Sequence, residues 1–320
     1  MTAGAPFPWF GGKSKAAPLV WAALGDVGHY IEPFAGSLAA LLGRPDPGRR
    51  VTETVNDLDG NLVNFWRAVR ADPDAVAQHA DWPVSELDLT ARHYWLVTTM
   101  PERRLRIEAD ADYHCAKAAG WWVWGICAWI GSGWCSGDGP WREIDGVLKK
   151  LPHLGTGGQG INKQLPHLGT GGQGINKQLP HLGTGGQGIA HWFRELADRL
   201  RGVRITCGDW RRVLSYSCTR PRPVVGVFLD PPYVTGADLY AHDGTGVAEA
   251  VAAWAAEHGN DPAMRIVLAG YDGEVSLPAS WRPVKWKAGG GLHGNSGREV
   301  LWLSPHCLGR QAEYRQEALL

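Results

Sequence analysis

The chain has no apolar run long enough to span a bilayer: its longest, residues 121–130, is about half of what a membrane helix needs and is broken by glycine. It carries no net charge either. The 32 Lys and Arg residues are balanced by 32 Asp and Glu, which excludes a uniformly basic coat for nucleic acid and leaves any phosphate contact to local patches. The 6 cysteines contain no C-x-x-C pair, and no paired histidine spacing completes a zinc site. No metal is therefore indicated, and reduced, mostly buried thiols are expected. With no apolar signal region at the N-terminus, a cytoplasmic protein without a membrane partner is expected.

What is present in quantity is tryptophan, 17 residues against 6 Phe, and glycine, 43 residues in 320. That length can bury a full core in one large domain or two modest ones. Charge is distributed unevenly. Residues 191–222 hold eight Arg against three acids, and residues 149–189 hold four Lys and no acid. Either stretch could face phosphates.

The first sixty residues read as α/β: a helix around 18–24, a short strand ending in His29-Tyr30-Ile31-Glu32, a Gly turn, a helix over 37–42, and a strand over 51–55 leading into Asn56-Asp57. This is the rhythm of a nucleotide-binding sheet. From residue 61 to about 130 the apolar spacing turns helical and needs no strand. The Trp block there, including Trp121, Trp124 and Trp129, has the spacing of a packed helix face. The α/β pattern returns with a helix over 190–201, strands over 203–207 and 224–229, a helix over 247–257, a strand over 265–269, and late strands near Val284 and over 299–303. The sequence thus predicts a class I, Rossmann-like sheet formed by residues 1–60 and 190–310 and interrupted by a mainly helical insert at 61–189.

The insert ends in a repeat. Residues 151–164 read LPHLGTGGQGINKQ, residues 165–178 repeat them unchanged, and 179–189 give a truncated third copy. Three Gly-rich units of fourteen residues would bury little apolar area, so a protruding basic loop is expected. Each copy contains a literal G-x-G-x-x-G, but no apolar strand precedes it, and Pro152, Pro166 and Pro180 break the approach. A dinucleotide site there is rejected.

The motif with most chemical content is Asp230-Pro231-Pro232-Tyr233, placed directly after the buried-looking strand VVGVFL. A carboxylate at a strand end, stiffened by two prolines, points into the crevice where open α/β sheets bind ligands. A carboxylate and a backbone carbonyl can together hold both N–H groups of an exocyclic amine whose lone pair is otherwise delocalised into a base. Tyr233 would stack on a base extruded from the duplex. Earlier motifs supply a cofactor side. In Pro8-Trp9-Phe10-Gly11-Gly12-Lys13 two glycines admit a ligand to the backbone and Lys13 supplies a cation. Glu32-Pro33-Phe34-Ala35-Gly36-Ser37 lies between strand and helix, where the amino-acid end of a cofactor sits near a helix start. Asp57, about twenty residues on, suits ribose hydroxyls, and Asp209 of Gly208-Asp209-Trp210 could accept from an adenine amino group.

The order W-x-G-G-K, E-P-F-x-G, N-D, helical insert, G-D-W, D-P-P-Y resembles the Dam-like, D12 class DNA adenine N6-methyltransferases, particularly phage-encoded members, over residues 7–305. The resemblance implies S-adenosyl-L-methionine as cofactor and double-stranded DNA as partner, with no obligate protein partner. It implies cofactor or target contacts for Trp9, Lys13, Asp57 and Asp230, and target recognition for the insert. The family's Gly turn often reads F-x-G-x-G. Here Leu38 stands where the second Gly is expected. Methylation of cytosine N4 or of RNA, and a non-catalytic DNA-binding protein of the same fold, remain as alternatives.

Overall fold

Strand β6 (Val225–Leu229) is buried along its whole length, as a parallel strand covered on both faces must be. The computed structural model describes residues 4–9, 13–48, 50–110, 112–129, 134–135, 141–144, 147–150, 188–219, 224–232, 246–286 and 298–309. Of the expected site residues, Gly11, Gly12 and Tyr233 lie outside these, as do residues 151–187 of the repeat.

Around β6 the chain builds a seven-stranded sheet in the order β5-β2-β1-β6-β7-β9-β8. The members are β1 (His29–Glu32), β2 (Thr52–Asp57), β5 (Val203–Cys207), β6, β7 (Met264–Tyr271), β8 (Arg282–Lys285) and β9 (Glu299–Leu303). All neighbours are parallel except that β9 runs against both β7 and β8. The strand order reverses direction at β1, between β2 and β6, which is the switch point where open sheets hold ligands. This is the expected mixed α/β sheet of Rossmann-like methyltransferases.

Alternation along the central strands sorts side chains into two cores. Val225, Val227 and Leu229 of β6, Met264, Ile266 and Leu268 of β7, and Val300 and Trp302 of β9 join the core under α9 (Val247–His258). Phe228, Val267, Ala269, Leu301 and Leu303 face the opposite core with α1 (Ala17–Leu24). The sheet is therefore the middle of three layers.

The crossover from β2 to β5 carries the helices expected between them: α3 (Gly60–Ala71), α4 (Pro73–Ala80), α5 (Glu86–Ala109), α6 (Ala116–Ala128) and α7 (Ile189–Leu200). Their starts are written in the sequence. Asp59 caps α3 by accepting from the Asn61 and Leu62 N–H groups, and Asp72, followed by Pro73, caps α4. α4 and α6 meet through Gly120, where any Cβ would collide with His79. Phe65 of α3, Trp122 of α6 and Phe193 of α7 are fully buried in the core shared with the sheet. Of the expected packed face, Trp124 is fully buried, whereas Trp121 is half-buried and Trp129 is half-buried just past the end of α6.

One element was not expected. Trp141–Ile144 and Val147–Lys150 pair antiparallel as β3 and β4. The Asp145-Gly146 pair between them is a hairpin signal that the sequence carried. All six cysteines are free, and Cys127, Cys207 and Cys307 are buried.

Candidate active site

The C-terminal ends of β1, β2 and β5 are tied together by one side chain. Asn56 donates to the Pro33 carbonyl at 3.0 Å and to the Gly208 carbonyl at 2.9 Å, and accepts from the Thr206 hydroxyl at 3.0 Å. Two backbone bonds complete the seam, from the Ala35 N–H to the Asn56 carbonyl and from the Gly208 N–H to the Asp57 carbonyl. Every hydrogen-bonding group on the buried Asn56 amide is thus committed to shape. The next residue, Asp57, ends β2.

Asp57 accepts the Gly36 N–H at 2.9 Å through one oxygen and the Asp59 N–H at 2.9 Å through the other. Its surroundings withhold water, and this desolvation pushes the carboxyl up to about 6 against the pull of those N–H groups. The Leu58 N–H also acts on this carboxylate, which leaves acceptor capacity for about one further donor. The turn it holds has little room. Gly36 has φ +47°, and a Cβ there would lie 2.5 Å from the Trp9 indole nitrogen. The Gly36 carbonyl in turn accepts from the Trp66 indole at 3.1 Å. Only glycine fits this cradle. Two residues later Leu38 also takes a left-handed conformation, φ +57° and ψ +23°, with its side chain fully buried. The position where a second Gly is expected does demand Gly-like backbone, and α2 (Ala39–Leu42) starts only after it. That strain explains why the helix begins two residues later than the sequence pattern indicates.

Glu32 ends β1 and is buried. Its carboxyl accepts the Tyr30 hydroxyl at 2.9 Å. Burial pushes it up to about 8, and the neighbouring Asp230 and Asp57 carboxylates add to the effect. Asp230 sits at the end of β6, one fifth exposed, and bonds the buried Lys13 ammonium at 3.0 Å. Pro231 is buried and Pro232 half-buried behind it. Lys13 thus brings the W-x-G-G-K segment to the D-P-P segment, 217 positions later in the chain.

The remaining expected residues are placed as follows. Trp9 is half-buried against Phe7, with ring centroids 5.8 Å apart. Phe34 packs on Trp210 at 6.1 Å. Asp209 is exposed, caps the short 3-10 helix Trp210–Leu214 by accepting the Arg211 N–H at 2.8 Å, and pairs with the Arg211 guanidinium at 3.2 Å. The structure brings together Glu32, Asp57, Asp230 and Lys13 at the strand ends and holds Trp9 and Gly36 beside them. Tyr30 and Asn56 were not singled out from the sequence. Position relative to the motif would have found both, since one lies two residues before Glu32 on the same strand face and the other directly precedes Asp57.

Residues 9–115 match the family model described as D12 class N6 adenine-specific DNA methyltransferase. Over that third of its length the chain is similar to the D12 class methyltransferases. The activity named for that family is methylation of adenine N6 in DNA. The match contains Trp9, Lys13, Glu32, Gly36 and Asp57. Asp230 lies beyond it and is joined to it by the Lys13 ion pair. No curated protein matches the chain. Among the described residues, no helix is long and apolar enough to cross a membrane.

Proposed function

We propose that this chain is a D12 class enzyme that takes its methyl group from S-adenosyl-L-methionine and delivers it to an adenine extruded from double-stranded DNA, with Asp230 as the catalytic carboxylate. The observation that carries this reading is the 3.0 Å pair between Lys13 and Asp230 at the end of the switch-point strands.

The donor set suits that cofactor. Three carboxyl groups converge on the ends of β1, β2 and β6, and two of them are held well above the usual carboxylate range by burial. Such a site is short of positive charge, and a ligand bearing a sulfonium and an ammonium relieves it. S-adenosylmethionine supplies an electrophilic methyl carbon when bound. Asp57 offers an acceptor to a ribose hydroxyl, and the Gly36 cradle lets a ligand approach the backbone beside Trp9. Asp230 accepts one N–H of the target amine, and the Pro231 carbonyl suits the other because it has no hydrogen to give. Lys13 fixes the rotamer of Asp230 through their 3.0 Å ion pair. Tyr233 stacks on the target base. The helices α4–α6 and the β3–β4 hairpin form the recognition side of the crossover, with the repeats as its basic extension.

The test is direct. DNA incubated with the protein and isotopically labelled S-adenosylmethionine is digested to nucleosides, and label is expected in N6-methyldeoxyadenosine. Label in N4-methyldeoxycytidine, or none beyond an Asp230→Ala control, would overturn the reading.

A further inference from the structure

Residues 30 and 32 lie on the same face of β1, because side chains alternate along a strand. Tyr30 is fully buried there. Its ring lies on Trp21, centroids 4.7 Å apart and 34° between planes, and Trp21 is itself pinned by a 2.7 Å bond from its indole to the Ala40 carbonyl. The phenol therefore has one place to put its hydroxyl, and that is the Glu32 carboxyl at 2.9 Å. The other acid near Tyr30 is Glu53, whose oxygens are taken by Arg44 at 2.9 Å and by Arg199 at 2.7 and 2.8 Å. Glu53 has less need of the phenolic proton than Glu32.

We propose that Tyr30 is the positioning residue of the cofactor site: its hydroxyl orients the Glu32 carboxyl toward the cluster at the strand ends and sets when that carboxyl carries charge. This inference rests on the cofactor reading above. The groups facing the pair are Asp230 from β6, Asp57 from β2, a Leu41 N–H from α2, and, on the Tyr30 side, Glu53 from β2 and Arg199 from α7. Two of these are acids beside Glu32 and raise its affinity for a proton. The phenolic bond and the Leu41 N–H oppose them. Burial keeps the phenol itself protonated far beyond neutral pH. Tyr30 is thus a permanent donor, and the charge on Glu32 is the variable. A charged Glu32 attracts a cationic cofactor. A neutral one does not.

Tyr30→Phe keeps the ring against Trp21 and deletes only the donor. Hydrogen bonds to charged groups contribute enough that losing one should cost about tenfold in S-adenosylmethionine affinity at pH 7, recovered at more alkaline pH. The experiment follows the Glu32 carboxyl carbon by NMR in cofactor-free protein labelled at Glu, assigned with Glu32→Gln, alongside calorimetric titration of S-adenosylmethionine from pH 6 to 9. The inference expects the Glu32 transition and the inflection in affinity to move upward together in Tyr30→Phe. An unmoved Glu32 transition in a folded Tyr30→Phe protein overturns it, because a merely structural tyrosine would lower stability alone. Should Tyr30→Phe fail to fold, Glu32→Gln decides instead: loss of the pH dependence of binding supports the inference, and its persistence overturns it. Failure of the wild type to bind S-adenosylmethionine at any pH counts against the cofactor reading, while the NMR titration still decides the Tyr30–Glu32 link.

Discussion

The Asp57 carboxylate holds the Gly36 N–H at 2.9 Å across the gap between β2 and the turn after β1. One acid therefore shapes the turn after β1 that the proposed cofactor would approach. Asp57→Asn keeps an acceptor for that N–H but turns its NH2 toward the Asp59 N–H, so the gain from removing a desolvated charge is offset by an unpaired donor and stability should fall by about 1–3 kcal/mol. Affinity for S-adenosylmethionine should fall roughly tenfold or more, since an amide has one acceptor oxygen where the carboxylate has two. Thermal unfolding and calorimetric titration separate the two effects. Unchanged affinity would remove Asp57 from the site.

Asp230→Ala should reduce methyl transfer by about a hundredfold or more while cofactor binding stays measurable, as the role proposed for this carboxylate on the target amine requires. Lys13→Met should also slow transfer, by leaving Asp230 without the cation it bonds at 3.0 Å. Single-turnover rates with saturating cofactor make the comparison. Wild-type rates in Asp230→Ala would sink its assignment.

Leu38 gives a prediction with an unusual sign. At φ +57° a residue with a Cβ carries about 1–2 kcal/mol of strain that glycine escapes. Both Leu38→Ala and Leu38→Gly lose a fully buried side chain and should cost about 2–5 kcal/mol. The glycine variant should nevertheless be the more stable of the two, by about 1 kcal/mol, the reverse of the order at ordinary helical positions. Urea unfolding of the pair tests this, and an alanine variant at least as stable as the glycine one would refute it.

The buried acids also make stability depend on pH in a defined direction. Glu32 is raised to about 8 and Asp57 to about 6. The folded state therefore keeps protons that the unfolded chain releases, and the stability this contributes is present at low pH and lost as pH rises through those values. His93, held down to about 4 by burial, works the other way, but only below its ordinary value of 6.5. The clean window is pH 6.5 to 8. There the melting temperature of the cofactor-free protein should fall with rising pH, and Glu32→Gln should flatten the slope. A wild-type melting temperature that rises across this window would contradict the placement of Glu32.

The strands and the motif order were legible because each rests on local sequence: β5 and β9 coincide with their apolar runs, and Asp57 and Asp230 follow directly from strand ends. Relationships across the chain were not. Nothing local shows that Lys13 meets Asp230, that Asn56 spends its whole amide on the Pro33 and Gly208 carbonyls and the Thr206 hydroxyl, or that Asp209 caps a short helix. An acid after a strand looks the same whether it serves a ligand or its own backbone. Only tertiary placement separates them.

The helices of the crossover share their core with the sheet: Phe65 of α3 touches Trp122 of α6 at 5.7 Å and Phe193 of α7 at 5.8 Å. Under the proposed reading of this crossover as the recognition region, a lineage of such proteins could not trade it as a cassette, because the cut at either end would pass through packed aromatic rings and leave cavities costing several kcal/mol on each side. On that reading, new target preferences would have to arise by substitution on the outer faces of α4–α6 and the hairpin, one side chain at a time, with the inner faces held constant. Evolution of specificity on this scaffold is therefore gradual by construction, and chimeras joined inside α3 or α7 should fold poorly whatever sequence they were meant to read.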